Sequence, residues 1–233
     1  MKLHKLFGAV AGLALAGTTA LAQGKPTIAV LYFNNSALGK SHDELAPLTK
    51  GIADLMIQEL SANTGIRVVE RDALQKILDE QKLSTDGNVD PSTAVKVGKL
   101  LGAHHMVTGV FLTDPKATTM KISLRVFNTE TSQIEYTTDA SDKPDNVLTL
   151  VSKLAAKANK GLNLPDIPSR LSDARQEQAG KVPFQTVMLY SRAINAKDAG
   201  KKDEAISLFK QSLDKFPSYQ AARDELAKLG VKS

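Results

Sequence analysis

The chain has 233 residues with 30 basic and 25 acidic side chains, a formal net charge of +5. That excess is too mild to argue for a nucleic-acid binder, and scarce aromatics offer no stacking platform for single strands. Cysteine is absent, so no disulfide can staple the fold and stability has to come from a packed core.

Lys2 and Lys5 precede an apolar and small-residue run from Leu6 to Gly17, and Ala20-Leu21-Ala22 then offers a small-x-small cut site. The run is shorter than the roughly 20 apolar residues of a spanning helix, so residues 1–22 read as a signal peptide cleaved before Gln23. The destination is periplasmic or secreted. With no cysteine to acylate, no lipid anchor is expected, and no later stretch reads as an integral membrane segment.

Thr27 to Phe33 is a β-branched and aromatic run that predicts a buried strand, followed by the loop residues Asn34, Asn35 and Ser36. Residues 43–62 carry a helical stripe of Leu45, Leu48, Ile52, Leu55, Met56 and Leu60. Ile66 to Glu70 predicts a second strand, with Asp72 capping the next helix and Ser84 to Asn88 forming a polar loop. Asp90-Pro91 is a helix start, and that helix ends at Gly102. Residues 105–113 predict a third strand. Met120, Ile122, Leu124 and Val126 then alternate with Lys121, Ser123 and Arg125, and Gln133 to Ala140 returns as an antiparallel hairpin with one wet face. A helix opens at Pro144 and Asp145 and runs to Leu162.

Leu164 to Lys181 changes texture and reads as a linker that can turn helical between Ser169 and Gln178. Three short helical patterns fill residues 184–229. The order predicts an α/β fold: a mixed sheet with flanking helices over 23–163, a linker at 164–181, and a small all-α helical-repeat module at 182–233. Residues 181–233 hold ten basic and six acidic side chains, so the tail is the basic part of the chain.

Ile28 to Ser36, Arg67 to Leu74, Ala94 to Gly109 and Leu124 to Asn128 resemble, in that order, the soluble domain of the CsgG/HfaB curli-secretion family. The first and third of these patterns also resemble TolB amino-terminal-like domains. The likeness implies the α/β scaffold over about residues 26–162. It does not imply the pore of that family, because the lipidated cysteine is missing and Lys121, Arg125, Glu130 and Glu135 would not suit a lipid-facing strand. Ala205, Phe209 and Pro217 resemble the small, aromatic and proline positions of a tetratricopeptide repeat, with Leu189 at the early large position.

No catalytic set emerges. His104 and His105 are adjacent on a strand start and point to opposite faces, a poor chelate. Glu70-Arg71-Asp72 reads as a strand-to-helix junction. Leu38-Gly39-Lys40-Ser41 lacks the upstream glycine of a phosphate loop, and no Gly-x-Ser-x-Gly elbow occurs. No metal or cofactor is expected. Asn34 and Asn35, at the end of the first strand, are candidates for contact with a partner or ligand. Leu189, Lys201, Lys202, Lys210 and Lys215 are candidates for partner binding on the tail, against the plainer reading of a solvated basic face. The expected activity is that of a non-enzymatic periplasmic accessory or adaptor in envelope assembly or export. The expected partner is an envelope or secreted protein of acidic character, or a second copy of the chain. The alternative is a ligand-sensing domain that takes a small molecule or glycan at the carboxyl edge of the sheet. Deleting residues 181–233 is expected to leave the body folded.

Overall fold

The computed structural model describes residues 24–83, 90–114, 116 and 118–231; the cleavage site and the polar loop at 84–88 lie outside them. Five strands form one sheet: β1 (Thr27–Asn35), β2 (Arg67–Val68), β3 (His105–Thr113), β4 (Met120–Asn128) and β5 (Ile134–Asp142). Their order is β2-β1-β3-β4-β5. The first three are parallel, and β4 and β5 are antiparallel to their neighbours. The α/β class and the mixed sheet follow the expectation from the sequence.

Helices α1 (Lys40–Leu45) and α2 (Leu48–Ser61) follow β1, α3 (Arg71–Glu80) and α4 (Pro91–Leu100) precede β3, and α5 (Val147–Gly161) follows β5. The single helix expected over 43–62 is two, because Pro47 has no N–H to continue the ladder and becomes the N-cap of α2. Helix α3 starts at Arg71 with Glu70 as its cap, so Asp72 lies inside the first turn and does not cap it. Strand β2 is two residues long, shorter than the expected Ile66 to Glu70. Asp90 caps α4 as expected, accepting from the backbone N–H groups of Ser92 and Thr93.

Helices lie on both faces of the sheet, though the hairpin half of one face is open. Ile122, Leu124 and Val126 are buried on one face, which α5 overlies. There a β-carbon on Gly161 would overlap the Tyr136 ring, and Tyr136 is Val126's partner on β5. Met106 and Phe127 pair on the other face, where Gly98 of α4 meets Met106. The wet side of the hairpin, Lys121 and Arg125, is exposed. Strand β5 is the sheet's edge, and Lys157 of α5 reaches round to donate to the Asp139 carbonyl at 2.8 Å.

The segment after α5 contains helix α6 (Ser169–Ala179), and the tail is α7 (Phe184–Asp198), α8 (Lys202–Lys215) and α9 (Gln220–Lys228). Gly200, at φ +72°, makes the turn between α7 and α8. Tyr190 is fully buried among them, 5.5 Å from the Phe209 ring and 5.4 Å edge-on to Tyr219. Helix α7 lies against α2 at very close range. A β-carbon on Gly51 would overlap the Ser191 side chain and sit 3.3 Å from its Cα. The inner face of α7 is therefore packed on the α/β layer, while Ile206, Leu208, Leu213 and Phe216 are partly buried.

Candidate functional site

Two polar features lie where the tail meets the sheet layer. The first is a buried seam of charge. Asp54 interrupts the apolar face of α2, Arg71 opens α3, and Asp198 closes α7. Their side chains are 7 %, 4 % and 4 % exposed, so none is free to reach bulk water. The Arg71 guanidinium donates Nη1 to Asp198 and Nη2 to Asp72 at 2.9 Å, and its Nε lies 3.2 Å from Asp54 Oδ1. Asp54 also accepts from the Tyr190 hydroxyl and from Gln58 Nε2 at 2.7 Å. Farther along, Lys197 meets Asp72 at 3.2 Å and Glu225 of α9 at 2.8 Å, and Lys228 holds the other Glu225 oxygen at 2.8 Å.

Asp54, Arg71, Glu225 and Tyr190 feel the seam. Burial pushes the Asp54 carboxyl above the usual carboxylate range, against the Tyr190 hydrogen bond and Arg71. For Arg71, burial works against the charge but Asp198 and Asp54 outweigh it, so the guanidinium stays charged. Burial also opposes ionisation of Glu225, yet the hydrogen bonds from Lys197 and Lys228 hold its carboxyl below its usual range. Burial and then Asp54 raise the Tyr190 phenol, which remains a donor. Such a seam holds elements together. It supplies no paired nucleophile and base.

The second feature is a cleft of about 740 Å³ outside the carboxyl end of β1. It lies beside the loop that leads from β1 into α1, between residues of α2, α3 and α7. Asn34, His42, Thr49, Lys50, Gln75 and Asn195 are among its walls. The Lys50 ammonium stands 2.9 Å from Asp198 Oδ2 and 5.1 Å from the Tyr32 ring centroid.

The predicted contact residues fall in three settings. Asn34 is half-buried on the cleft. Asn35 is buried and spends its amide within the loop, donating to the His42 carbonyl at 2.8 Å and accepting from Ala37 N–H at 3.0 Å. Leu189 is buried on α7. Lys201, Lys202, Lys210 and Lys215 are exposed on and beside α8, with Lys201 3.4 Å from Glu204. The two histidines diverge: His104 Nδ1 accepts from Thr27 N–H at 3.0 Å, and His105 meets Glu135. Among the described residues no three His, Cys, Asp or Glu side chains group as metal ligands. No described helix is long and apolar enough to cross a membrane.

Sequence pattern alone makes Arg71 and Asp72 a junction and passes over Asp54 and Asp198. One signal is nevertheless present: Asp54 sits alone inside Gly-Ile-Ala-Asp-Leu-Met-Ile, a run that otherwise buries every side chain.

No curated protein sequence matches the chain. Among solved structures, the C-terminal domain of LpoB from Escherichia coli is 15 % identical over 50 % of this chain and 82 % of its own, with a TM-score of 0.38. Lipoprotein GNA1162 from Neisseria meningitidis is 15 % identical over 50 % and 79 %, with a TM-score of 0.41. TolB from Acinetobacter baumannii is 12 % identical over 60 % of this chain and 28 % of its own, with a TM-score of 0.40. Residues 11–114 match the family described as curli production assembly/transport component CsgG, and over that stretch the chain is similar to this family.

Proposed function

We propose that the chain is a non-enzymatic periplasmic adaptor in envelope assembly or export, acting through protein–protein contacts and without a pore of its own. In this reading residues 23–163 are the scaffold, 164–181 the connection and 182–233 a tetratricopeptide-like module. The observation that carries it is the charge seam. Arg71 and Asp198 fix the tail on the sheet layer, so Lys201, Lys202, Lys210 and Lys215 project from a rigid base. Leu189 packs inside the tail beneath that surface, and Asn35 holds the loop after β1. The similarity to the CsgG family supports the envelope setting. A basic, preorganised surface favours an acidic envelope protein and an attraction that weakens with salt.

The test is a pull-down from periplasmic extract with the wild-type chain and the quadruple Lys201→Glu, Lys202→Glu, Lys210→Glu, Lys215→Glu variant, at low and high salt. The adaptor reading expects a partner that the variant loses and that high salt weakens. Equal capture by both chains rejects the lysine surface.

A second reading, ligand sensing at the carboxyl edge of the sheet, is favoured by the cleft at the end of β1, the position where open α/β sheets place ligands.

A further inference from the structure

Helix α6 lies across α2 and α5 without an apolar stripe of its own. Ser172, Arg175, Gln176 and Ala179 fall at helical spacing on its inner side, and of these only Ala179 is buried. Its one large apolar side chain, Leu171, is 44 % exposed. Pro168, the N-cap, offers no side-chain hydrogen bond to the first turn. A helix of 11 such residues is marginal in water, so α6 persists because of what it touches.

That contact is narrow. Arg175 Nη2 donates to the Gln58 carbonyl at 3.2 Å and to Glu59 Oε1 at 3.0 Å, and Nε donates to Glu59 Oε2 at 3.4 Å. Among the described residues no other α6 side chain hydrogen-bonds to another helix; the bond from Lys181 to Glu177 stays within the segment. Water and salt reach the anchor, since the Arg175 side chain is 34 % exposed.

The ends of the segment are pinned more firmly. Before α6, the Pro165 carbonyl accepts from Asn63 Nδ2 at 2.7 Å and Asn159 Nδ2 at 3.1 Å, and both asparagines are buried. After it, Ala179 and Val182 are buried, and Pro183 caps α7. Residues 166–178 therefore hang between two fixed points and rest on one side chain.

Arg175 also divides two clefts. One, of about 500 Å³, reaches Asp54 and Arg71 of the charge seam. The other, of about 520 Å³, is walled by Leu55, Leu148, Phe216 and Tyr219. Arg175 lines both, so its departure joins them along the line where the tail meets the sheet layer.

We propose that residues 166–178 are a strap, closed by Arg175 on Glu59, which lifts as a unit while the body and the tail stay folded and docked. Lifting it opens the joined cleft and bares its apolar wall. The helix is thus the low-stability element of the chain by construction.

The test is hydrogen exchange on the full chain, read amide by amide at low and high salt. Amides from Arg175 to Ala179 are expected to exchange about a hundredfold faster than those inside α5 and α7, all with one shared protection. Arg175→Ala should speed them together by about tenfold more, with α5 and α7 unchanged. Glu59→Gln and high salt should act in the same direction, and Arg175→Lys should fall between wild type and Arg175→Ala. Protection of α6 equal to that of α5 overturns the strap. So does an Arg175→Ala chain whose α6 amides exchange as in wild type. If that variant speeds α5 and α7 by the same factor, Arg175 holds the whole fold and the strap is again overturned. A protection that falls off gradually from the ends of α6 shows fraying in place of a concerted lift, and also rejects it.

Discussion

Arg71 and Asp198 form a buried ion pair between the first residue of α3 and the last of α7, although 127 positions separate them in the chain. The pair joins the sheet layer to the helical tail. A buried charge stripped of its partner is costly, because nothing replaces the water it left.

Arg71→Ala is expected to destabilise the chain by about 3–5 kcal/mol, since it takes the cation from Asp54 and leaves Asp198 with Lys50 alone. The double change Arg71→Met with Asp198→Leu should cost less than the single one. Urea denaturation of the three chains checks this, and a double variant worse than Arg71→Ala would rule out the buried pair. The same geometry revises the expectation that the body folds without its tail. Deleting residues 181–233 removes Asp198 and Tyr190 and bares the α2 surface beneath Ser191, so the truncated chain should melt well below the full one.

Gly51→Ala tests the contact between α2 and α7. The added methyl group meets the Ser191 side chain, and overpacking of this kind costs about 1–3 kcal/mol. Combining it with Ser191→Gly should recover part of the loss. Additive losses would mean the helices do not meet at this point.

Leu124→Asp should destabilise by several kcal/mol, because Leu124 is 1 % exposed and lies between Gly109 and Thr138 in the sheet. Its neighbour Arg125 is exposed, and Arg125→Asp should leave the melt within about 0.5 kcal/mol. Reversal of the two results would place the strand on its opposite face.

Glu225 gives a pH signature. Its carboxyl is held below the ordinary 4.5, so the folded chain binds fewer protons than the unfolded one in acid. The stability it contributes is fully present above that ordinary value and is lost as pH falls through the lower folded one. Glu225→Gln should flatten this part of the acid limb. Asp54, raised by burial, contributes with the opposite sign, favouring the fold more as pH drops. Thermal melts from pH 6 to pH 3, wild type against Glu225→Gln, separate the two; superimposable acid limbs would show that Glu225 is not held low.

The sheet is legible in the sequence because its signals are local. Alternation in β4 announces which side is wet, and Asp90-Pro91 announces a helix start, each within a few residues. The seam is not, because a helical Asp, a junction Arg and a helix-end Asp mean little until the fold brings them together. Asp54 alone carries a local warning, an acid inside an apolar run. The tail's docking is similarly hidden. Gly51 looks like a weak point in a helix until Ser191 stands against it. Asn34 and Asn35 stand out for contact by position alone, and their neighbours set them to different tasks.

The lysine that reaches round β5 bears on how the chain behaves in company. An edge strand nine residues long is a template on which foreign strands, including those of unfolded copies, can add. Lys157 occupies the Asp139 carbonyl that such a strand would need, and Glu135, Asp139 and Asp142 of the same strand hold carboxylates paired with His105, Lys121 and Lys153. An incoming strand would have to displace an ammonium and sit beside carboxylates before forming its first ladder bonds. The border thus raises the kinetic barrier to fibril growth and domain exchange. It leaves assembly with other proteins to surfaces made of side chains.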